Sequence, residues 1–283
     1  MNNKLVSHAQ RGNVSATVII CVALLVAYVL TWILFLGEGH PKMVLKGGAE
    51  KGVHIQAHVI AVDLVKDSIS MTLVPDVASP ALASGRKLTA DVDVEIDTGI
   101  SVLSHKFKKG DAPIPWVASI PIQDGDLTEY PVDNYTGAFS IKAGLNGGAK
   151  SPAYIDIDKI VHGFRFSAAG EPASDNSELE VEFRLARAPS VVFLSVMAML
   201  SMTVVVLSAL NVAWQVATKE RKLEFGMIIW SAALLFVIPS VRSGMPGSPP
   251  PGSMIDAGLF FWLHVLTVIA LVTLVAKWSR DGK

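Results

Sequence analysis

The sequence predicts a mixed membrane protein with four transmembrane α-helices, arranged as one plus three, and an extracytoplasmic antiparallel β-sandwich inserted between helices 1 and 2. Four apolar runs predict the helices, because each approaches or exceeds the roughly 20 residues that cross a bilayer core. The segment between the first two runs alternates apolar and polar residues, which is typical of strands. The composition agrees with a membrane protein, since 51% of the 283 residues are hydrophobic and only 17% are charged.

Residues 1–13 are predicted to form a cytoplasmic N-terminus, and residues 14–37 the first transmembrane helix. A secretory signal peptide is the rival interpretation, because Lys4 and Arg11 precede the apolar run. Signal peptides have only about 7 to 15 apolar residues and end at a site with small residues. This run is longer and continues into FLGEGHPK, so we predict an uncleaved anchor.

Residues 38–187 are predicted to form one extracytoplasmic β-domain. The clearest strands are 88–97 and 178–187, where every second residue is apolar. Six further strands are predicted at 53–63, 68–74, 101–108, 116–122, 137–143 and 161–167. Eight short strands, each with one apolar face and separated by turn residues, favour an antiparallel sandwich. The only cysteine, Cys21, lies in the first apolar run, so no disulfide within the chain can stabilise this domain.

Residues 190–214, 225–241 and 257–276 are predicted as helices 2 to 4, joined by a cytoplasmic loop at 215–224 and an outer Pro/Gly-rich loop at 242–256. Residues 277–283 form a predicted cytoplasmic tail. Pro189 suits the first turn of helix 2, so the β-domain and this helix are joined with almost no linker. Lysines and arginines cluster at 4–11, 219–222 and 277–283. The positive-inside rule therefore places both termini in the cytoplasm of a multi-pass protein of the cell membrane, with the lipid bilayer as a partner.

The motif YPVDNY, at 130–135, arranges aromatic, proline and aspartate residues in a pattern that is too regular for an ordinary loop. Pro131 fixes its own backbone and favours an extended Tyr130, while Asp133 or Asn134 can close a turn by accepting from backbone N–H groups. We interpret the segment up to Tyr135 as a rigid corner or a domain–membrane contact. It also resembles an aromatic-Pro-x-Asp element in the membrane-facing loop of pentameric ligand-gated channels, so channel-like coupling stays open. Those channels, however, have no helix before the sandwich and four after it.

The outer loop carries one charge at each end, Arg242 and Asp256. Its prolines stiffen the backbone and its glycines permit sharp turns, so we expect an ordered loop. We predict that Arg242 and Asp256 pair, or bind the same neighbouring loop, and that the Pro-rich segment packs under the sandwich near 130–135. The alternative is that both charges simply mark the water boundary.

Of the polar residues within the predicted spans, Asn211 and His264 need an explanation. We interpret both as hydrogen-bonding groups between helices, which contribute about 0.6 to 2 kcal/mol each. A proton or ion pathway requires several facing ionisable groups, whereas His264 stands alone. The sequence therefore does not favour a transporter.

No catalytic, metal-binding or cofactor-binding pattern is found in the sequence. The carboxylates at 91, 93, 95 and 97 lie about 7 Å apart along one strand face, too far for one calcium ion, and indicate a solvated face. His54 and His58 are about 13 Å apart on their strand, too far to share a zinc ion. Phosphate-loop and dinucleotide fingerprints are absent. A net charge of -1 without a basic stripe argues against nucleic acid.

The one-plus-three layout, YPVDNY at 130–135 and VRSGMPGSPPPGSMIDAGLFFW at 241–262 resemble a bacterial membrane-protein family of unknown function, DUF4436, which is common in actinobacteria. The resemblance covers nearly the whole chain. It implies the architecture described above and brings no activity, cofactor or catalytic residue.

From these observations we expect a non-enzymatic accessory or scaffold subunit that binds cell-envelope proteins through its β-domain and helices. The alternative is a ligand-responsive, homo-oligomeric channel or sensor in which the sandwich moves the helices. The sequence leaves homo-oligomer formation open in either case.

Overall fold

A computed structural model describes residues 22–23, 25–37, 43–46, 53–76, 87–148, 150–159, 161–173 and 178–281. The chain divides into two compact units, Met1–Gly39 and His40–Lys283. The first unit contains a short apolar helix, α1, at Leu25–Gly37. Apart from residues 22–23, the earlier part of the predicted first span lies outside the described residues, as does the predicted N-terminus 1–13.

The second unit begins with a β-domain. Its strands are β1 (Met43–Lys46), β2 (His54–Asp63), β3 (Ser68–Pro75), β4 (Val92–Asp97), β5 (Val102–Phe107), β6 (Trp116–Pro121), β7 (Asp124–Gly125), β8 (Asn134–Leu145), β9 (Ser151–Pro152), β10 (Tyr154–Lys159), β11 (Phe164–Pro172) and β12 (Leu179–Arg187). All eight predicted strands are present with shifted ends. Strand β4 begins four residues late, at Val92, because Leu88 bonds the loop carbonyl of Asp111 instead of a neighbouring strand. Strands β1, β7, β9 and β10 were not predicted.

The strands form two sheets around one hydrophobic core. One sheet has the order β1-β10-β2-β3-β6, and the other has the order β11-β12-β8-β4-β5, with β7 and β9 paired to β8. The expected β-sandwich is therefore present in outline. Its purely antiparallel character is a wrong prediction, because β10 runs parallel to β2. The chain reaches β10 from β9, which belongs to the other sheet, so no hairpin fixes the direction in which β10 enters.

The core follows the alternation of the sequence. In β12 the residues Leu179, Val181, Phe183 and Leu185 are buried, whereas the glutamates between them are exposed. Strand β12 pairs with β8 on one side and β11 on the other. The end of β12 consequently lies beside the beginning of β8, where Ala186 pairs with Asn134.

Three helices follow the β-domain: α2 (Pro189–Ala217), α3 (Phe225–Ser243) and α4 (Phe261–Asp281), the last preceded by a π-helical turn at Asp256–Phe260. All three are long and apolar enough to cross a membrane. Each is longer than predicted, because the polar residues at its ends continue the helical hydrogen bonding. Pro189 occupies the first turn of α2 as expected, and α4 packs against both α2 and α3.

Candidate functional site

The YPVDNY corner lies where the β-domain meets the helices. A short 3₁₀ turn at Leu127–Glu129 precedes it, and β8 begins within it at Asn134. Tyr130 has φ −47° and ψ 137°, an extended conformation as predicted, and its bond to Pro131 is cis. The side chains of Tyr130, Pro131, Asp133 and Tyr135 are buried. We call the corner and the groups that it contacts on β12, α2 and the outer loop the junction.

Tyr130 connects the β-domain to two parts of the helical region. Its hydroxyl lies 2.6 Å from the carbonyl oxygen of Pro246 in the outer loop and 2.6 Å from Ser195 Oγ on α2. Because a carbonyl only accepts, the Tyr130 proton goes to Pro246. The Ser195 hydroxyl then donates to Tyr130 or to Val191 O, which is 2.7 Å away. Burial raises the pKa of Tyr130, which keeps this hydroxyl protonated.

Asp133 forms a buried ion pair with Arg187. The guanidinium Nε donates to both carboxylate oxygens, at 3.1 and 2.9 Å, and the Tyr135 hydroxyl donates to Oδ2 at 2.6 Å. The two charged side chains are only 0% and 2% exposed. The prediction that Asp133 closes the turn through backbone N–H groups is wrong, because its side chain points inward to this cation. The neighbouring Asn134 amide donates to a carbonyl oxygen instead, that of Val132 at 2.9 Å.

Arg187 is the functional candidate that the sequence analysis missed. Its guanidinium lies 5.2 Å from the ring centroid of Tyr130 and 4.8 Å from that of Phe164, in cation–π geometry. The sequence contains an indication of its burial. Arg187 lies two residues after Leu185, so the alternation along β12 places it on the same inward-facing side as the buried apolar residues. An arginine at an inward position requires a buried anion, and Asp133 supplies it.

Gly247 allows the outer loop to approach Arg187. The NH1 group of Arg187 lies 3.5 Å from Gly247 O. Gly247 has φ +77°, and a Cβ atom there would come within 2.3 Å of that same NH1 group. Only glycine therefore fits without movement of the loop or of the guanidinium.

The predicted Arg242–Asp256 pair is confirmed. Arg242 Nε and NH2 donate to the two Asp256 oxygens at 2.7 and 2.6 Å, in bidentate geometry. The same guanidinium donates to the carbonyl oxygens of Pro249 at 2.9 Å and Pro250 at 2.6 Å, and Asp256 accepts from Gly252 N at 2.9 Å. These bonds hold the outer loop in one conformation, with its Pro246–Gly247 segment under the corner as expected.

The structure places Asn211 on α2 and His264 on α4. Asn211 is exposed on α2 and accepts from Gln215, one turn along the same helix, at 3.4 Å. The prediction of a bond between helices is therefore wrong for Asn211, because its side chain faces away from α3 and α4. His264 is partly buried on α4.

The acidic strand face is paired with lysines of the β-domain. Asp91 and Asp93 contact Lys106 at 3.2 and 3.8 Å, and Glu95 contacts Lys142 and Lys150. His54 stacks on Tyr154 with ring centroids 4.7 Å apart. Among the residues that the structure describes, no three His, Cys, Asp or Glu side chains are grouped to hold a metal ion.

The chain matches two known families, and the boundary between the two matched regions lies at the end of β12, beside Arg187. Residues 45–185 match a domain of unknown function, DUF4436, and residues 187–281 match a second one, DUF8686. Tyr130, Asp133 and Tyr135 belong to the first match, whereas Arg187 and Ser195 belong to the second. The junction is thus built from both matched regions. No curated protein matches the chain. The expected resemblance to DUF4436 over nearly the whole chain is wrong in extent, because residues 241–262 fall within the second match. Through residues 45–185, the chain belongs to the DUF4436 family.

Proposed function

We propose that this chain is an integral protein of the cytoplasmic membrane that acts, without catalysis, as an accessory or scaffold subunit for other cell-envelope proteins. Its β-domain lies outside the cell and both termini lie inside. Three long apolar helices support membrane insertion, and the lysines and arginines at 219–222 and 277–283 support this orientation.

The observation that carries the proposal is the junction. Strand β12 ends at Arg187 and α2 begins at Pro189, so one residue separates the β-domain from the helix. A buried ion pair whose lone pairs are satisfied has one favourable geometry. Asp133 and Arg187 both belong to the β-domain, so this pair fixes the position of Arg187 and does not itself reach a helix. Arg187 contacts Gly247 O of the outer loop, and Tyr130 bonds Pro246 O and Ser195 of α2. These contacts hold the β-domain on its helices. A binding module held in this way loses little conformational entropy when it binds a partner in the same membrane.

The orientation is tested by cysteine labelling. In a Cys21→Ser background, Ile114→Cys provides a reporter on the β-domain, where Ile114 is 76% exposed, and Thr218→Cys provides one in the α2–α3 turn. A membrane-impermeant maleimide should label the first reporter in intact cells and label the second only after lysis. Labelling of the second reporter alone in intact cells would contradict the orientation.

The scaffold role is tested by affinity purification of the full chain in mild detergent. We expect other envelope proteins to co-purify in stoichiometric amounts and to be lost from an Asp133→Asn variant, which keeps the shape of the side chain but removes the charge that holds the corner. A matched Lys66→Gln variant, altered at an exposed turn of the β-domain, should keep them. Purification of the chain without any such protein would contradict the scaffold role.

A ligand-responsive channel or sensor is the second candidate. The contact of Tyr130 with Ser195 and Pro246 favours it, because a shift of the corner would act directly on α2 and on the loop between α3 and α4. This candidate requires a symmetric homo-oligomer as the sole purified species, together with ion flux in liposomes that contain the chain. A monomer without flux would exclude it.

A further inference from the structure

The end of the helical bundle that lies away from the junction contains a basic cavity. It has a volume of about 390 Å³. The α2–α3 turn and the last turn of α4 supply its lining, which consists of Lys219, Arg221, Lys222, Leu223, Lys277, Trp278 and Asp281. Four cations and one carboxylate thus surround a space large enough for a small polar group.

Cations outnumber carboxylates in the lining of this cavity. Lys277 donates to Asp281 at 2.8 Å. Within the described ranges, Lys219, Arg221 and Lys222 have no carboxylate partner at ion-pair distance. Cations that share one cavity repel each other unless an anion joins them. The cavity therefore suits an anionic group with several acceptor oxygens, such as a phosphate.

Lys219 adds an independent indication. It follows the C-cap Thr218 of α2 with φ +63°, a left-handed conformation. Glycine or asparagine usually occupies this position, because other side chains are strained there. The conformation of Lys219 costs stability, yet it directs the chain so that three cations of one short turn line the same cavity.

The surroundings of the cavity indicate the source of the phosphate. Trp278 lines the cavity and is 56% exposed, and Trp214 lies one turn before the end of α2 and is also exposed. Tryptophan side chains favour the headgroup level of a bilayer. Exposed apolar residues of α4, Val272 and Val275, continue from the cavity toward the membrane interior. A free phosphate would need no such apolar surface, whereas the acyl chains of a lipid would lie against it.

We propose that this cavity binds the phosphate headgroup of an anionic phospholipid from the cytoplasmic leaflet. Lys219, Arg221 and Lys222 contact the phosphate oxygens, and Lys277 contributes its remaining donors. The inference rests on the proposed membrane insertion and orientation. It adds a specific lipid partner, which fixes the α2–α3 turn at the membrane surface.

The test measures lipid binding by the purified full-length chain with native mass spectrometry. Phosphatidylglycerol should remain bound at detergent concentrations that remove phosphatidylcholine. An Arg221→Gln and Lys222→Gln double variant should bind phosphatidylglycerol roughly 30-fold more weakly, since each basic residue near a lipid surface contributes about a factor of five. The matched control is Lys108→Gln with Lys109→Gln, two exposed lysines of the β-domain, which should leave the affinity unchanged.

Three results would overturn the proposal. They are equal retention of both lipids, an unchanged affinity in the cavity variant, and competition by inorganic phosphate at millimolar concentration, which would identify a site for the free anion. Carbonate extraction of membranes separates this proposal from the previous one. Release of the chain by carbonate would contradict membrane insertion, whereas a chain that resists carbonate but does not prefer phosphatidylglycerol would contradict the lipid site alone.

Discussion

Removal of the buried carboxylate in the junction should destabilise the protein strongly. In the Asp133→Ala variant, Arg187 would keep its charge at 2% side-chain exposure and lose both oxygens that accept from Nε. Tyr135 would lose its acceptor at the same time. Breaking a buried pair by removal of one partner costs about 3 to 5 kcal/mol, because the remaining charge is left uncompensated. An ordinary lost turn or cap would cost only about 0.5 to 2 kcal/mol.

This magnitude can be measured by thermal unfolding in detergent. For a protein of this size, each kcal/mol lowers Tm by about 2 to 4 °C, so Asp133→Ala should lower Tm by about 6 to 20 °C. The control is Lys66→Ala, which removes an ion pair with Asp63 whose lysine is 79% exposed. Exposed pairs contribute about 0 to 1 kcal/mol, so the control should stay within about 4 °C of the parent.

The double variant Asp133→Ala with Arg187→Ala distinguishes a buried pair from two independent contacts. Once both charges are gone, no uncompensated charge is buried, so the double variant should be less destabilised than the sum of the single variants. Additive effects, or an Asp133→Ala variant as stable as the Lys66→Ala control, would refute the reasoning.

Three further predictions concern the same region. Gly247→Ala should lower Tm more than Gly252→Ala. Both glycines have a positive φ, but a Cβ atom at Gly247 would clash with Arg187, whereas a Cβ atom at Gly252 would have nothing within 4 Å. Equal effects of the two substitutions on Tm would exclude the clash. Arg242→Asp and Asp256→Arg should each destabilise the chain, and their combination should recover only partly, since the swapped pair lacks the bonds to two proline carbonyls; additive melting shifts would contradict pairing. Burial raises the pKa of Tyr135, so the folded chain holds that proton more tightly than the unfolded chain. The resulting stability is complete below about pH 10 and falls progressively as the pH rises from there toward the raised pKa of the folded state. Tyr135→Phe should therefore flatten the alkaline fall of Tm, and an unchanged profile would oppose this assignment.

Much of the fold can be predicted from the sequence because buried positions are occupied by apolar residues at the regular spacing of a strand or in the long runs of a membrane helix. Alternation at 178–187 and 88–97 identifies β12 and β4, and uninterrupted apolar runs identify α2 to α4. The Arg242–Asp256 pair could also be predicted, because a short loop between antiparallel helices brings its ends together. These features depend on residues that are near in sequence or on one face of one element.

The missed features depend on contacts between distant segments. The direction of β10 is set by a crossover between sheets, which alternation does not encode. The Asp133–Arg187 pair joins residues 54 positions apart. The burial of Arg187 could have been suspected from its inward register, but its partner could not be identified without the arrangement of β8 beside β12. The face of α2 that carries Asn211 was misjudged because an apolar helix shows little difference between its lipid side and its packed side.

The most direct test of the central claim is the distance between the β-domain and the outer loop. Spin labels at Ile100→Cys and Met254→Cys, both exposed positions, would be introduced in the Cys21→Ser chain and measured by pulsed electron paramagnetic resonance in lipid nanodiscs. We expect one narrow distance distribution, which broadens when Asp133→Ala is added. A broad distribution in the parent, or a narrow one that Asp133→Ala leaves unchanged, would contradict a β-domain held in place by the junction, in which Asp133 positions Arg187 against the outer loop.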